Sequence, residues 1–240
     1  EEAAVFVGVA LQGLTRGLFP FSLSCVLYDC PVVVERALQN AFLTGKRERL
    51  STHLIDLEPG FQKLWDSSFD KETRTCARKA ARCGLSVVED TTPRGVEVLH
   101  ALYKKQAVLW KLKRIYPERL LSEILDHMDG NVRIWLGELG GRSLCAVLTF
   151  YFGDTVTAWL SGQNEEGRKL RASHLVYSEI MKHACKKGFS SFNFGASGNL
   201  HGVRYFKESF GAREHFYSVF TCESEVFKFM RRLKGAAIGT

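Results

Sequence analysis

The stretch HLVYSEIMKHACKKGFSSFNFGAS, residues 174–197, changes its periodicity part-way along. Counted from just before it, Ala172, Val176, Ile180 and Ala184 recur every fourth residue and fall on one stripe of a helix. Lys186, Lys187 and Gly188 close that helix, cations first and then a residue that enters the left-handed conformation freely. Phe189 to Gly195 then reads as a short strand running into a loop with glycines at 195, 198 and 202.

Working outward, three strands precede the helix: VRIWLGEL (132–139), SLCAVLTFYF (143–152) and TVTAWLSGQ (155–163). The turns GGR and GD separate them, as in a meander. Before these lie two helical patterns, 96–112 and 117–128, the second opening on Pro117. After the glycine loop come a short helix, VRYFKESF (203–210), a strand, REHFYSVF (213–220), and an amphipathic helix, SEVFKFMRRLKG (224–235). From residue 95 onward the order is therefore α-α-β-β-β-α-β-α-β.

The first part of the chain predicts strands over 3–11, 22–29 and 49–57, with a helix over 32–45. One helical segment is then expected from Phe61 to Gly84, leading into a further strand. In it Lys71, Arg74, Arg78 and Arg82 share a face, as steps of three, four and four dictate. Such a face either grips phosphates or RNA, or is simply solvated.

Composition narrows the class. The 240 residues are 45% hydrophobic and 25% charged, with five prolines, which is the make-up of a folded chain of one large domain or two small ones. No apolar run approaches the ~20 residues of a membrane span. The seven cysteines include no C-x-x-C pair, so reduced thiols in a cytoplasmic protein are expected, not disulfides or zinc. A net charge of +7 suggests a polyanionic partner: a nucleotide cofactor, an RNA or an acidic surface. The opening EEAAVFVGVALQ has neither Met nor a basic leader, and we expect it to follow a missing N-terminal portion.

No G-x-G-x-x-G or P-loop pattern is present, and FGASGN (194–199) spaces its glycines wrongly for a nucleophile elbow around Ser197. Three stretches, in order, nevertheless resemble one family. SFDKETRTCARKAARCGLSV (68–87), the 174–197 stretch and GVRYFKESFGA (202–212) are similar to motifs of the FemAB-like branch of the GNAT acyltransferases. The resemblance covers roughly residues 65–220. It implies an α/β (α+β) fold, a mixed and mostly antiparallel sheet flanked by helices. It also implies one complete domain (67–240) preceded by the closing part of a GNAT-like first domain (1–66). The strand near 190–194 should then lie parallel to 155–162, with the acyl donor entering the V between them.

By the same resemblance the chain is an N-acyltransferase acting on an amine, with acyl-CoA or aminoacyl-tRNA as donor and no metal. The acceptor would be a small-molecule or cell-wall (glycan-precursor) amine, and tRNA a possible partner. The donor loop aligns with RKLRAS (168–173), where Arg171 and Ser173 stand in place of glycines. Arg168, Lys169, Arg171, Ala172 and Ser173 would bind the donor at a helix N-terminus. The helical hairpin of the peptidoglycan aminoacyltransferases is absent from 90–130.

The family's catalytic lysine falls on Lys207, flanked by Phe206 and Phe210. A cation there would polarise the scissile carbonyl. The plainer alternative is a lysine snorkelling over its aromatic neighbours. Tyr205 is a candidate acid for the leaving group, or a core tyrosine. Trp159, Gln163, Asn193, Gly195 and Ser197 are expected to line the substrate pocket, with Trp159 equally suited to the core. Asn193 stands where relatives carry an acidic residue. Glu165 and Glu166 are candidate bases for the amine, or solvated loop carboxylates. Two rival classes remain open: a nucleic-acid-binding module using the 71–82 face, and an inactive copy of the fold that mediates protein contacts.

Overall fold

A computed structural model describes residues 22–27, 46–112, 115–128, 130–198 and 200–238. The strand expected at 3–11 and the helix expected at 32–45 lie outside the described residues. In chain order the elements are β1 (Ser22–Leu27), β2 (Lys46–Asp56), α1 (Lys71–Arg82), β3 (Ser86–Glu89), α2 (Pro93–Leu109) and α3 (Glu118–His127). They continue with β4 (Val132–Leu139), β5 (Arg142–Phe152), β6 (Thr155–Gln163), α4 (Glu165–Leu170), α5 (Ala172–Lys186) and β7 (Ser191–Asn193). The last are α6 (His201–Glu208), β8 (Arg213–Glu223) and α7 (Glu225–Ile238).

The chain divides into two compact units, residues 1–51 with 215–240, and residues 52–214. In the first, β1 pairs antiparallel with β8, Ser22 opposite Glu223 and Leu27 opposite Ser218. Arg49 lies over the Phe216 ring at 4.4 Å, a cation resting on the negative face of an aromatic.

In the second unit the strand order is β2-β7-β6-β5-β4-β3. β4 to β6 form an antiparallel meander with β3 paired antiparallel on its edge, and β7 joins parallel to β6 through the crossover helix α5. This is the arrangement that the sequence order implied. The stripe Ala172, Val176, Ile180 and Ala184 is 0% exposed and faces Leu144, Val147, Val156 and Phe192 on one side of the sheet. On the other side, Val96, Leu99 and Leu102 of α2 and Leu121 of α3 cover Ile134, Leu136, Ala146 and Leu148.

Two places in β6 set up the site. Opposite Leu148 and Thr149 stand Leu160 and Ala158, so Trp159 is the extra residue of a β-bulge. The bulge switches faces: Val156 and Ala158 belong to the α5 side, whereas Leu160 belongs to the α2 side. Further on, α2 passes so close to the strand that a Cβ on Gly162 would sit 2.3 Å from the Leu102 carbonyl carbon. Only glycine fits there.

Several boundaries differ from the sequence reading. The single helix expected over 61–84 is two pieces: a turn at Phe61–Lys63 that widens into a π-helix, Leu64–Ser68, and then α1. Asp70 causes the break, because its carboxylate accepts from the Thr73 N–H at 2.6 Å and caps α1. Phe69, extended and 2% exposed, is buried against Phe210. Helix α2 starts earlier than expected, on Pro93, and stops at Leu109. The expected loop before α5 contains α4, capped by Asn164, whose side chain accepts from the Gly167 N–H at 2.8 Å.

Candidate active site

β6 and β7 pair only between Thr155–Thr157 and Ser191–Asn193. Beyond Thr157 the ladder stops, and a cleft of about 1020 Å³ opens between the end of β6 and the 194–198 loop. Gly195, at φ +73°, lets that loop turn against the Ala158 carbonyl, which a Cβ would meet at 3.0 Å.

Lys207 is delivered to this point by α6. Its neighbours Phe206 and Phe210 pack with Phe194, Tyr177 and His174 into a continuous aromatic cluster, which fixes how the helix is rolled. The side chain is 4% exposed, and Nζ donates to the carbonyls of Gly195 at 2.6 Å and Ala196 at 2.9 Å. An ammonium has three N–H donors, so two carbonyls leave one for the cleft that Lys207 lines. This is not a snorkelling lysine. Burial lowers its pKa to about 8, so the ammonium remains the main form at neutral pH.

Behind the loop stands a support from β2. His53 is 1% exposed, with Nδ1 3.4 Å from the Ser197 hydroxyl and Nε2 3.6 Å from Glu208. Burial first, and the nearby Lys207 charge second, lower its pKa, so it is held neutral beside the ammonium.

On the α5 side of the sheet, the cleft is walled by the junction between α4 and α5. Arg171 ends one helix and begins the next in the left-handed conformation, φ 62° and ψ 34°. Arg168, Arg171, Ser173 and His174 line the cleft at this junction. The positive end of the α5 dipole and two guanidiniums favour an anion there. On the α2 side the wall is aromatic and carries no charge: Tyr103, Trp110, Tyr116 and Trp159, with Tyr116 and Trp159 rings 5.0 Å apart.

Residues 67–208 match the family model described as the acetyltransferase (GNAT) domain. The chain belongs to the GNAT acetyltransferase family. It is accordingly an acyltransferase. Its fold is similar to that of FemX, with a TM-score of 0.69 at 13% identity, over 90% of this chain and 75% of that one. It is also similar to the C-terminal domain of an Agrobacterium fabrum protein assigned as a lysylphosphatidylglycerol synthetase (TM-score 0.59, 15% identity, 82% and 67% covered). A third similar fold is L-PGS from Bacillus licheniformis (TM-score 0.55, 13% identity, 78% and 64% covered). Among curated proteins none matches the sequence. These likenesses fit the FemAB-like branch of the GNAT fold.

Measured against that GNAT site, the sequence candidates separate. Lys207, Tyr205, Arg168, Arg171, Ser173, Trp159, Gln163 and Ser197 all line the cleft. Tyr205 is 61% exposed at its edge, so it is not a core residue. Trp159 is partly buried and packs on Phe150 as well as Tyr116. Lys169 is turned away and pairs with Glu165 at 2.8 Å, while Ala172 is wholly buried in the core. Glu166 is taken up by the two terminal guanidinium nitrogens of Arg142. Neither Glu165 nor Glu166 lines the cleft. Asn193 is no substrate contact either: its side-chain oxygen accepts from Thr52 and from the Gly195 N–H. It shapes the loop instead.

The basic face of α1 is solvated at Lys71, Arg78 and Arg82, and only Arg74 departs from it. Arg74 points inward and donates to the carbonyls of Trp65, Asp66 and Phe69, satisfying the end of the π-helix. Arg78 lies over the Trp65 ring at 5.3 Å. Lys71 and Arg82 are exposed.

Two cleft residues had not been singled out from the sequence for this site. His174 has its pKa lowered to about 4 by burial, and its buried Nδ1 has no hydrogen-bond partner. Glu72, in the first turn of α1, is exposed and lines the cleft. Asp70 is the cleft's other carboxylate among the described residues, and it is spent capping α1. Gln163 adds a buried Oε1 without a partner. No group of three or more His, Cys, Asp or Glu that could hold a metal ion occurs among the described residues. No described helix is long and apolar enough to cross a membrane.

Proposed function

We propose that this GNAT enzyme transfers an acyl or aminoacyl group from an acyl-CoA or aminoacyl-tRNA to an amine. The observation that carries this reading is the Lys207 ammonium, held by two carbonyls where β6 and β7 part, with one N–H left over. The donor's phosphates sit at Arg168, Arg171 and the α5 N-terminus, and its carbonyl lies at the V. The amine nitrogen attacks that carbonyl, forming the new C–N bond. Lys207 hydrogen-bonds the resulting oxyanion, and the bond to sulfur or to the ribose oxygen breaks as the carbonyl re-forms. Glu72 is the free cleft carboxylate that takes the amine proton, and Tyr205 supplies one to the leaving group.

The acceptor approaches along the uncharged aromatic wall, which suits a cell-wall precursor, a lipid or another small-molecule amine. Residues 1–66 we take as the closing part of a first GNAT-like domain. Native mass spectrometry of the chain after incubation with acetyl-CoA and, separately, with aminoacyl-tRNA tests the reading. Retention of one donor, with loss of its acyl group when an amine is added, is expected. Retention of neither would remove it.

The pH dependence carries its own sign. Lys207 is an ammonium below about 8 and a neutral amine above. If the ammonium holds the oxyanion, kcat at saturating substrates falls as pH rises through about 8. A kcat that climbs through the same range would make Lys207 a base instead.

A further inference from the structure

The end of α2 carries exposed lysine and aliphatic side chains to which the transfer step itself assigns no role. Among the described residues between Val98 and Pro117 the cations are Lys104, Lys105 and Lys111, all exposed, and there is no Asp or Glu, in a chain of net charge +7. Among the same residues Val108 is 69% exposed, Leu109 57%, Leu112 40% and Ile115 38%. The tip is not frayed. Leu112 N–H donates to the Ala107 carbonyl and Lys111 N–H to that of Val108, both at 3.0 Å, closing the helix on a left-handed Lys111. Trp110, Leu112 and Tyr116 of this segment also line the cleft.

We propose that this tip docks on an anionic lipid surface. Aliphatic side chains in water alongside lysines match the boundary between acyl chains and negatively charged headgroups, where both kinds gain. An RNA would use the cations but leave four aliphatic residues in water. A bilayer held here faces the uncharged mouth of the cleft, so an amphiphilic amine reaches the site without crossing the donor's charged wall.

Flotation of the full 240-residue chain with vesicles tests this. Vesicles of phosphatidylcholine with roughly 30 mol% phosphatidylglycerol should retain it, and less so as salt is raised, while phosphatidylcholine alone should not. Lys104→Gln with Lys105→Gln should weaken retention at least about tenfold. Val108→Ser with Leu109→Ser should also weaken it about tenfold at unchanged charge. All four side chains are exposed, so the melting temperature should hold in both variants. Failure of anionic vesicles to retain the chain, or equal retention by neutral ones, would overturn the proposal. So would an apolar variant that floats like wild type. If such a variant also binds tRNA at the same salt, the tip belongs to nucleic acid.

Discussion

Replacing Lys207 by Met lowers kcat by roughly 10²–10³-fold, the usual effect of deleting one oxyanion donor. Met keeps most of the stem and removes the charge, and Phe206 and Phe210 still fix the helix through their own ring contacts. KM should move much less, because the lost hydrogen bond strengthens mainly in the transition state. The change also strips two carbonyls, those of Gly195 and Ala196, of their donor. A thermal melt of the variant must therefore accompany the kinetics. A folded Lys207→Met enzyme with wild-type kcat would remove the catalytic assignment.

The donor side is the second large effect. Changing Arg168 and Arg171 together to Ala should weaken donor binding well beyond tenfold, since each charge-assisted contact is worth about 1.5–3 kcal/mol and tenfold is about 1.4. Lys169 provides the control on the same turn. It pairs with Glu165 outside the cleft, so Lys169→Ala should leave the donor dissociation constant nearly unchanged. Unchanged affinity in the double variant would move the donor to the exposed ends of α1, Lys71 and Arg82.

The parts of this architecture that could be read from sequence are those that one periodicity controls over a long span. The Ala172–Ala184 stripe and the three-strand meander each repeat a pattern that tertiary packing then satisfies without change. What escaped were decisions made by single polar groups. Asp70 could continue a helix or cap one, and the capping bond to Thr73 splits the expected segment. Asn164 likewise starts α4 inside what reads as a loop.

The site follows the same division. Lys207 was marked by its aromatic neighbours and by a resemblance, but which way it points depends on the cluster from Phe194 to Phe210. Arg74 belongs to a helical face by spacing, yet two carbonyls of a π-helix and that of Phe69 just after it claim it, and no spacing rule foretells a π-helix. Asn193 and Thr52 lie 141 positions apart, so their bond was invisible in either stretch alone. His174 carried no signal for this site in the sequence, because its burial is a property of the folded cleft.

Arg171 and Lys111 are the two non-glycine residues with positive φ among those described. One walls the cleft on its charged side, and the other stands between Trp110 and Leu112 on its aromatic side. Glycine would hold either backbone more cheaply, by about 1–2 kcal/mol at each place. The chain thus gives up resistance to heat at two turns, keeping at 171 a cation inside the cleft and at 111 one outside it, on the tip of α2. A search for sturdier versions of this enzyme, guided by melting temperature alone, would select glycine at 111 and 171 early. It would return a tougher protein that has lost a donor contact at 171 and a surface cation at 111.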